Sequence, residues 1–181
     1  MERKPKPKKC KECKTEFTPW VSTQLVCSPK CGIEYARKKE AKKQAKELKE
    51  RKKKLMTKSE WMKLAQAEFN KFIRLRDKDE PCISCGRHHQ GQYHAGHYRT
   101  VGANPELRFE ELNCHKQCSV CNNHKSGNIV DYRINLVRKI GQEAIDWLEG
   151  PHDPLRLTVE QIQDIRKKYR DKCKELENNH K

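Results

Sequence analysis

Several things are missing from this chain of 181 residues. Its N-terminus reads MERKPKPKKC, with no apolar segment, so a secretory signal is not expected. No apolar run is long enough to cross a bilayer, which argues against an integral membrane role and makes the cytoplasm the expected location. Apolar residues are scarce throughout, 34% against 36% charged, so a single large core is excluded and one or two small domains fit better. Acidic residues are outnumbered 25 to 41, giving a net charge of +16. No repeat is visible beyond two clusters of cysteines.

The positive charge is concentrated. Residues 1–58 hold 20 Lys/Arg and 7 Asp/Glu, whereas residues 59–181 hold 21 and 18. The N-terminal third is therefore the part that seeks a polyanion, and nucleic acid is the expected partner, because a dense positive face releases condensed counterions on binding. A solvated charged helix that binds nothing is the plainer alternative.

Ten cysteines without a secretory signal argue for metal rather than disulfides. Cys82-x-x-Cys85 and Cys118-x-x-Cys121 are two short hooks that one tetrahedral Zn²⁺ would tie into a knuckle. Cys10-x-x-Cys13 and Cys27-x-x-x-Cys31 form a second set, in a segment too short to bury its own core, where zinc would supply the folding free energy. Both zinc ions are expected to be structural. With eight thiolates bound to them the net charge falls to about +12. By spacing alone Cys114 competes with Cys118 for the metal, and Cys173 is most simply a free thiol.

Along the chain, residues 1–9 are Lys/Pro-rich and expected to lack structure, which begins at Cys10. Gly32–Leu55 is rich in helix formers with only a thin stripe of small apolar residues, which predicts an exposed basic helix or arm. Arg51, Lys52 and Lys53 at its end are candidate DNA-backbone contacts. Thr57-Lys-Ser-Glu60 has capping-box spacing and opens a helix to about Arg76, with Trp61, Leu64, Ala65, Phe69, Phe72 and Ile73 on a buried face. Residues 92–98 read as a strand, Leu107–Phe109 and Leu112–Asn113 as the returning strand, and Cys118 onward as the start of a helix. Ser126 or Asn128 opens a helix stopped by Gly141, a short helix runs through Trp147, and Thr158 caps the C-terminal helix. The expected fold class is α+β, with an N-terminal zinc knuckle (residues 1–31), a basic helical arm (32–57) and a domain carrying a zinc-stabilised ββα unit with flanking helices (58–181).

Within that unit, a histidine near the end of the first strand (His97), an asparagine five residues before Cys-x-x-Cys (Asn113), a polar residue directly after the last cysteine (Asn122) and a lysine three later (Lys125) resemble the HNH branch of the His-Me finger endonucleases. A wider resemblance rests on PCISCG, AGHYRT, LRF, HKQC, CNNHKSGN and GQEA, with the N-terminal knuckle. It is to the NinG (Rap) family of lambdoid phage recombination proteins. That resemblance implies a structure-specific endonuclease acting on Holliday junctions and D-loops in a host cytoplasm, beside phage or host recombination proteins.

Phosphodiester hydrolysis needs a base, charge neutralisation at phosphorus and help for the leaving oxygen. His97 suits the base, since imidazole titrates near neutrality. Asn113 would orient it, and His115 is a reserve candidate. A divalent cation distinct from zinc, Mn²⁺ or Mg²⁺, would be held by His94 and Asn122. HNH sites usually place an acidic residue where His94 stands, and imidazole suits Mn²⁺ better than Mg²⁺. Arg99, Lys116 and Lys125 are candidate phosphate contacts. Cutting a four-way junction symmetrically needs two active sites, so a homodimer is expected. The competing readings are a non-catalytic zinc module that binds DNA or RNA, and a nuclease of the restriction or homing type.

Overall fold

A computed structural model describes residues 6–178. The chain divides into two compact units, the first ending at Met56 and the second beginning at Thr57.

The first unit starts earlier than the composition implies. Lys8–Lys9 (β1) pairs antiparallel with Glu16–Phe17 (β2), so Lys8 and Lys9 are already ordered, and residues 1–5 lie outside the described residues. The turn between the strands carries the first cysteine hook. Cys10 N–H donates to Thr15 O at 2.9 Å, Lys14 N–H returns to Cys10 O at 3.1 Å, and Lys14 takes a left-handed φ of 65° to close the loop. The second hook is locked by a helix start. Ser28 accepts from Cys31 N–H at 3.3 Å, Pro29 opens the first turn of helix α1 (Pro29–Leu55), and Cys31 is thereby held in that turn. Helix α1 has no buried residue, and Lys52, Lys53 and Lys54 complement its C-terminal dipole. It is a continuous exposed basic rod of 27 residues, about 40 Å long.

In the second unit the Thr57–Glu60 capping box is formed and starts α2 (Lys58–Arg76). Its buried residues are Trp61, Ala65, Phe69, Phe72 and Ile73, so the aromatics read as core are core. The C-terminal helix α5 (Val159–Asn178) lies along it, with Phe69 and Tyr169 edge-to-face at 4.8 Å. Tyr93–His97 (β3) and Cys114–Cys118 (β4) form an antiparallel hairpin in which His94 faces Gln117, Gly96 faces His115 and His97 faces Cys114. One face of the hairpin packs Ala95 and Cys114 into the cluster of Phe69, Phe72, Ile73 and Tyr169. On the other side Tyr98 joins Tyr132 and Leu136 of α3 (Ile129–Ile140) and Ile145 and Leu148 of α4 (Gln142–Glu149). Two strands are thus covered by a helical layer on each face. Each fully buried Phe, Ile or Leu contributes about 1.5–3 kcal/mol, and they are shared between two cores rather than one.

The returning strand is Cys114–Cys118, not Leu107–Asn113, and Cys118 ends a strand rather than beginning a helix. Leu107 instead ends a 3-10 turn, Pro105–Leu107. After β4 the chain makes one wide helical turn, Val120–His124, closed by Lys125 N–H to Val120 O. It then passes through left-handed Ser126, Gly127 and Asn128 into α3, with Asn128 as the cap residue. Gly96 is required by a diagonal neighbour on the same face of the hairpin: a Cβ there would stand 2.1 Å from Gln117 Oε1. That amide is held in place by hydrogen bonds from its Nε2 to Ser84 Oγ at 2.6 Å and to Gly127 O.

Candidate metal centres and active site

Both cysteine sets converge. The four sulfurs of Cys10, Cys13, Cys27 and Cys31 lie within 4.8 Å of one another, as do those of Cys82, Cys85, Cys118 and Cys121. Where individual separations are resolved they are 3.6 Å (Cys13 to Cys27) and 3.7 Å (Cys27 to Cys31). Those distances are far from a disulfide and match the edge of a tetrahedron with Zn–S bonds of about 2.3 Å. Backbone N–H groups point at the sulfurs, from Cys118 to Cys82 at 3.3 Å and from Cys121 to Cys118 at 3.5 Å.

The electrostatics favour a cation. Burial raises the Cys82 thiol, but N–H groups of Cys118, Cys85 and Ser84 bring it below its ordinary value. Cys121 is pushed up to about 12 by burial and by the neighbouring sulfurs. In the first unit Cys10 comes down to about 6, because donors from Cys13, Cys27 and Glu12 outweigh desolvation, while Cys27, crowded by Cys13 and Cys31, rises to about 12. Each cluster thus holds both lowered and raised thiols, Cys10 and Cys13 against Cys27 and Cys82 against Cys85 and Cys121, a mutual opposition that a divalent metal would relieve. The donor set, spacing and N–H···S bonds fit zinc in both places. Cys114 is not part of either cluster. It is fully buried against Phe69 and Tyr169, and desolvation drives its thiol far upward.

His97 closes strand β3. Its ring lies against Phe69, with centroids 6.0 Å apart, and its Nε2 is 3.0 Å from Arg108 O. A carbonyl only accepts, so Nε2 carries the proton and Nδ1 keeps its lone pair. Burial is the main influence on its basicity and lowers the pKa, leaving the ring neutral. Nδ1 has Cys114 Sγ at 3.8 Å.

Asn113 is fully buried and acts on this histidine through the backbone. Its Oδ1 accepts from Arg99 N–H at 2.7 Å, and its Nδ2 donates to Arg99 O and Leu107 O at 3.0 and 3.2 Å. One amide therefore fixes both ends of the β3–β4 loop that presents the Arg108 carbonyl. It does not touch the imidazole itself.

The remaining expected residues are dispersed. Strand alternation places His94 and His97, three apart, on opposite faces of β3. His94 Nε2 is buried with no partner. Asn122 sits in the wide turn after Cys121, its amide donating to Asn123 at 2.7 Å. Among the described residues no group of three or more His, Cys or carboxylates meets at ligand distance apart from the two cysteine sets.

His115 is buried beside Tyr132, its pKa pushed down to about 3 by desolvation. Lys116 is buried too. Its Nζ donates to Lys78 O at 2.7 Å and caps the Tyr93 ring, so it is a structural lysine and not a phosphate contact. Arg99 spends its Nε on Asn104 Oδ1 at 3.1 Å. Lys125 is exposed and lines a cleft of about 380 Å³ with Arg87 and Arg138, and Arg51, Lys52 and Lys53 are exposed on α1.

Sequence reading missed the Arg76–Asp77 pair. Burial would raise the Asp77 carboxyl, but Arg76 and the N–H of Lys116 hold it below its ordinary value, and Arg76 donates to Glu111 O and Cys114 O, tying α2 to β4. Arg108, whose carbonyl holds His97, was also missed. Nothing in its neighbourhood, LRF, marks a main-chain role.

Taken together, these features define a small α+β protein with two four-cysteine clusters that could each hold a zinc ion, the second joining the end of the hairpin to the turn that follows it. Among the described residues no helix is long and apolar enough to cross a membrane. A family model described as Bacteriophage Lambda NinG protein matches residues 2–179, so the chain belongs to the NinG family. It is 47% identical over 193 residues to Protein ninG of Escherichia phage 933W, covering 97% of this chain and 96% of that one. It is 45% identical to Protein ninG of Escherichia phage lambda over 198 residues, 98% and 97% of the two chains. The Protein ninG of Salmonella phage P22 is 43% identical over 189 residues, 93% of each. No solved structure matches.

Proposed function

We propose that the protein is a metal-dependent endonuclease acting on branched DNA such as Holliday junctions and D-loops, working as a homodimer in the cytoplasm of a phage-infected cell. The two zinc centres are scaffolding, and the second unit is an HNH-like ββα nuclease domain. The observation that carries the reading is the His97 Nε2–H donated to Arg108 O, which leaves a neutral imidazole with its lone pair on Nδ1, at the end of a zinc-pinned hairpin. In that state His97 takes a proton from the attacking water. Asn113 holds the loop that keeps the ring in this tautomer.

An exchangeable Mn²⁺ or Mg²⁺, when bound, would supply charge neutralisation at the phosphate. The donors we assign to it are the Asn122 amide oxygen and the unpartnered Nε2 of His94, which β3 turns to the face opposite His97. The dense positive charge on α1, with Arg51, Lys52 and Lys53 at its end, draws in the DNA backbone.

A DNA-binding protein without hydrolysis is the second reading. It is favoured by one contact, since Nδ1 faces the buried Cys114 sulfur at 3.8 Å and a purely structural histidine would sit the same way. Incubation of wild type and His97→Ala with linear, forked and four-way DNA in Mn²⁺ or Mg²⁺ separates the two. Cleavage of the four-way substrate that falls about 10²–10⁴-fold in the variant, with binding retained, supports catalysis. Unchanged cleavage removes His97 as base, and a wild-type protein that binds every substrate and cuts none leaves the second reading.

A further inference from the structure

The same residue that holds His97 also lines a cleft that the chemistry above leaves unused. The exposed side of α2 and the Arg108 side chain enclose about 700 Å³, bounded by Lys58, Met62, Lys63, Gln66, Asn70 and Arg108 among others. Lys58, Met62, Gln66 and Asn70 follow one another at four-residue intervals, a single ridge of about 18 Å along the helix.

Its lining holds three cations and no carboxylate. None of Lys58, Lys63 and Arg108 forms an ion pair among the described residues. The two acids on α2 have hydrogen-bond or ion-pair partners outside the cleft, and the Lys63 charge acts on Glu60 without a direct ion pair. Glu60 accepts from Thr57 N–H at 2.7 Å and from its hydroxyl at 2.8 Å, and Glu68 pairs with Arg166 at 3.8 Å.

The polar groups are also aligned. Arg108 Nη1 donates to Gln66 Oε1 at 3.3 Å, and Gln66 Nε2 donates to Asn70 Oδ1 at 2.8 Å. That chain runs donor to acceptor in one direction and ends on the Asn70 amide hydrogens, so the cleft offers donors to whatever enters it. Arg108 is half-buried, with desolvation disfavouring its charge and no acidic partner to compensate. A partly desolvated guanidinium in that position is stabilised by an incoming anion, and its planar fork suits a phosphate.

We propose that this cleft between α2 and Arg108 binds the phosphodiester backbone of the DNA strand that runs past His97. The proposal rests on the DNA-processing reading above and adds its contact surface. A ridge of 18 Å spans several phosphates at about 3.4 Å of helix axis each, and the Arg108 residue joins the bound strand to the histidine through its own carbonyl. Met62 and Ala67 offer the cleft floor no competing charge.

The test is binding rather than cleavage. Anisotropy of a fluorescein-labelled four-way DNA junction, with no divalent cation added, is measured against salt for wild type, Arg108→Gln/Lys63→Gln and Lys58→Gln/Lys63→Gln. Lys58 and Lys63 are exposed, so the second double variant keeps the test valid if loss of the Arg108 side chain disturbs the loop. Each lost phosphate contact lowers the slope of log K against log salt by about 0.9, so each double variant should lose nearly 2 in slope and bind at least tenfold more weakly near 0.15 M salt. Unchanged affinity and slope in both double variants overturn the cleft and leave the nuclease reading untouched. A chain that binds in this way but never cuts DNA ends the nuclease reading and leaves the cleft standing.

Discussion

The Nε2 of His97 and the main-chain oxygen of Arg108 are 3.0 Å apart across the β3–β4 loop, and that one bond decides which nitrogen of the ring is basic. The loop is held in turn by Asn113, whose amide bonds the carbonyl of the neighbouring Leu107. A backbone acceptor therefore does here what a carboxylate does for many catalytic histidines, without adding charge. It stabilises the imidazolium less than a carboxylate would, which leaves burial as the stronger influence.

A pH dependence follows with a defined sign. The base form of His97 is the neutral ring, which is populated above its pKa, and burial moves that pKa below the ordinary 6.5. Cleavage limited by this base should therefore fall only at acid pH, with the midpoint of the acid limb of kcat/KM below 6.5, and be level through neutrality. A midpoint above 7 would assign the proton transfer to another group.

What could be read from the sequence is uneven for physical reasons. Caps and hooks were legible because they are local: Ser/Thr and Glu/Gln three apart, or two cysteines three or four apart, state their partner within about one turn. Strand β4 was not. Its residues, CHKQC, look polar, yet all five are buried because helices cover both faces of the hairpin, so no alternation survives. Each polar group is matched from a distance, Lys116 by Lys78 O and Gln117 by Ser84, and none of those partners lies near in sequence. The same limit affects the site. His97 and Asn113 could be singled out as candidates, but the Arg108 carbonyl that holds the His97 ring is a main-chain atom with no signature in any side chain.

The choice between Cys114 and Cys118, open on spacing, is made by position along β4 and by packing, since the two share one face of the strand. Cys118 ends β4 beside Cys82 and Cys121, whereas Cys114 is buried among the aromatics of α2 and α5. Metal analysis of the purified protein should find two zinc ions per chain in wild type and in Cys114→Ala. Cys118→Ser should retain one and lose the fold of the hairpin unit, since a structural zinc contributes on the order of 10 kcal/mol. Loss of a zinc from Cys114→Ala would contradict the assignment.

His94 poses the sharpest remaining question, because two of its features pull apart. Its Nε2 is buried without a partner, the condition of a donor awaiting a cation, yet β3 turns it to the face opposite His97. If His94 is an inner ligand, the nitrogen donor should make cleavage faster in Mn²⁺ than in Mg²⁺, and His94→Asp should reverse or erase that preference, because Mg²⁺ favours oxygen donors. His94→Ala should then raise the Mn²⁺ concentration needed for half-maximal rate by ten- to a hundredfold while junction binding without metal stays the same. If instead the alanine variant keeps its metal requirement and its Mn²⁺ to Mg²⁺ ratio, strand geometry has prevailed. His94 is then a packing residue on the α3 side, and the cation's protein ligands must be sought around His97 and Asn122 alone.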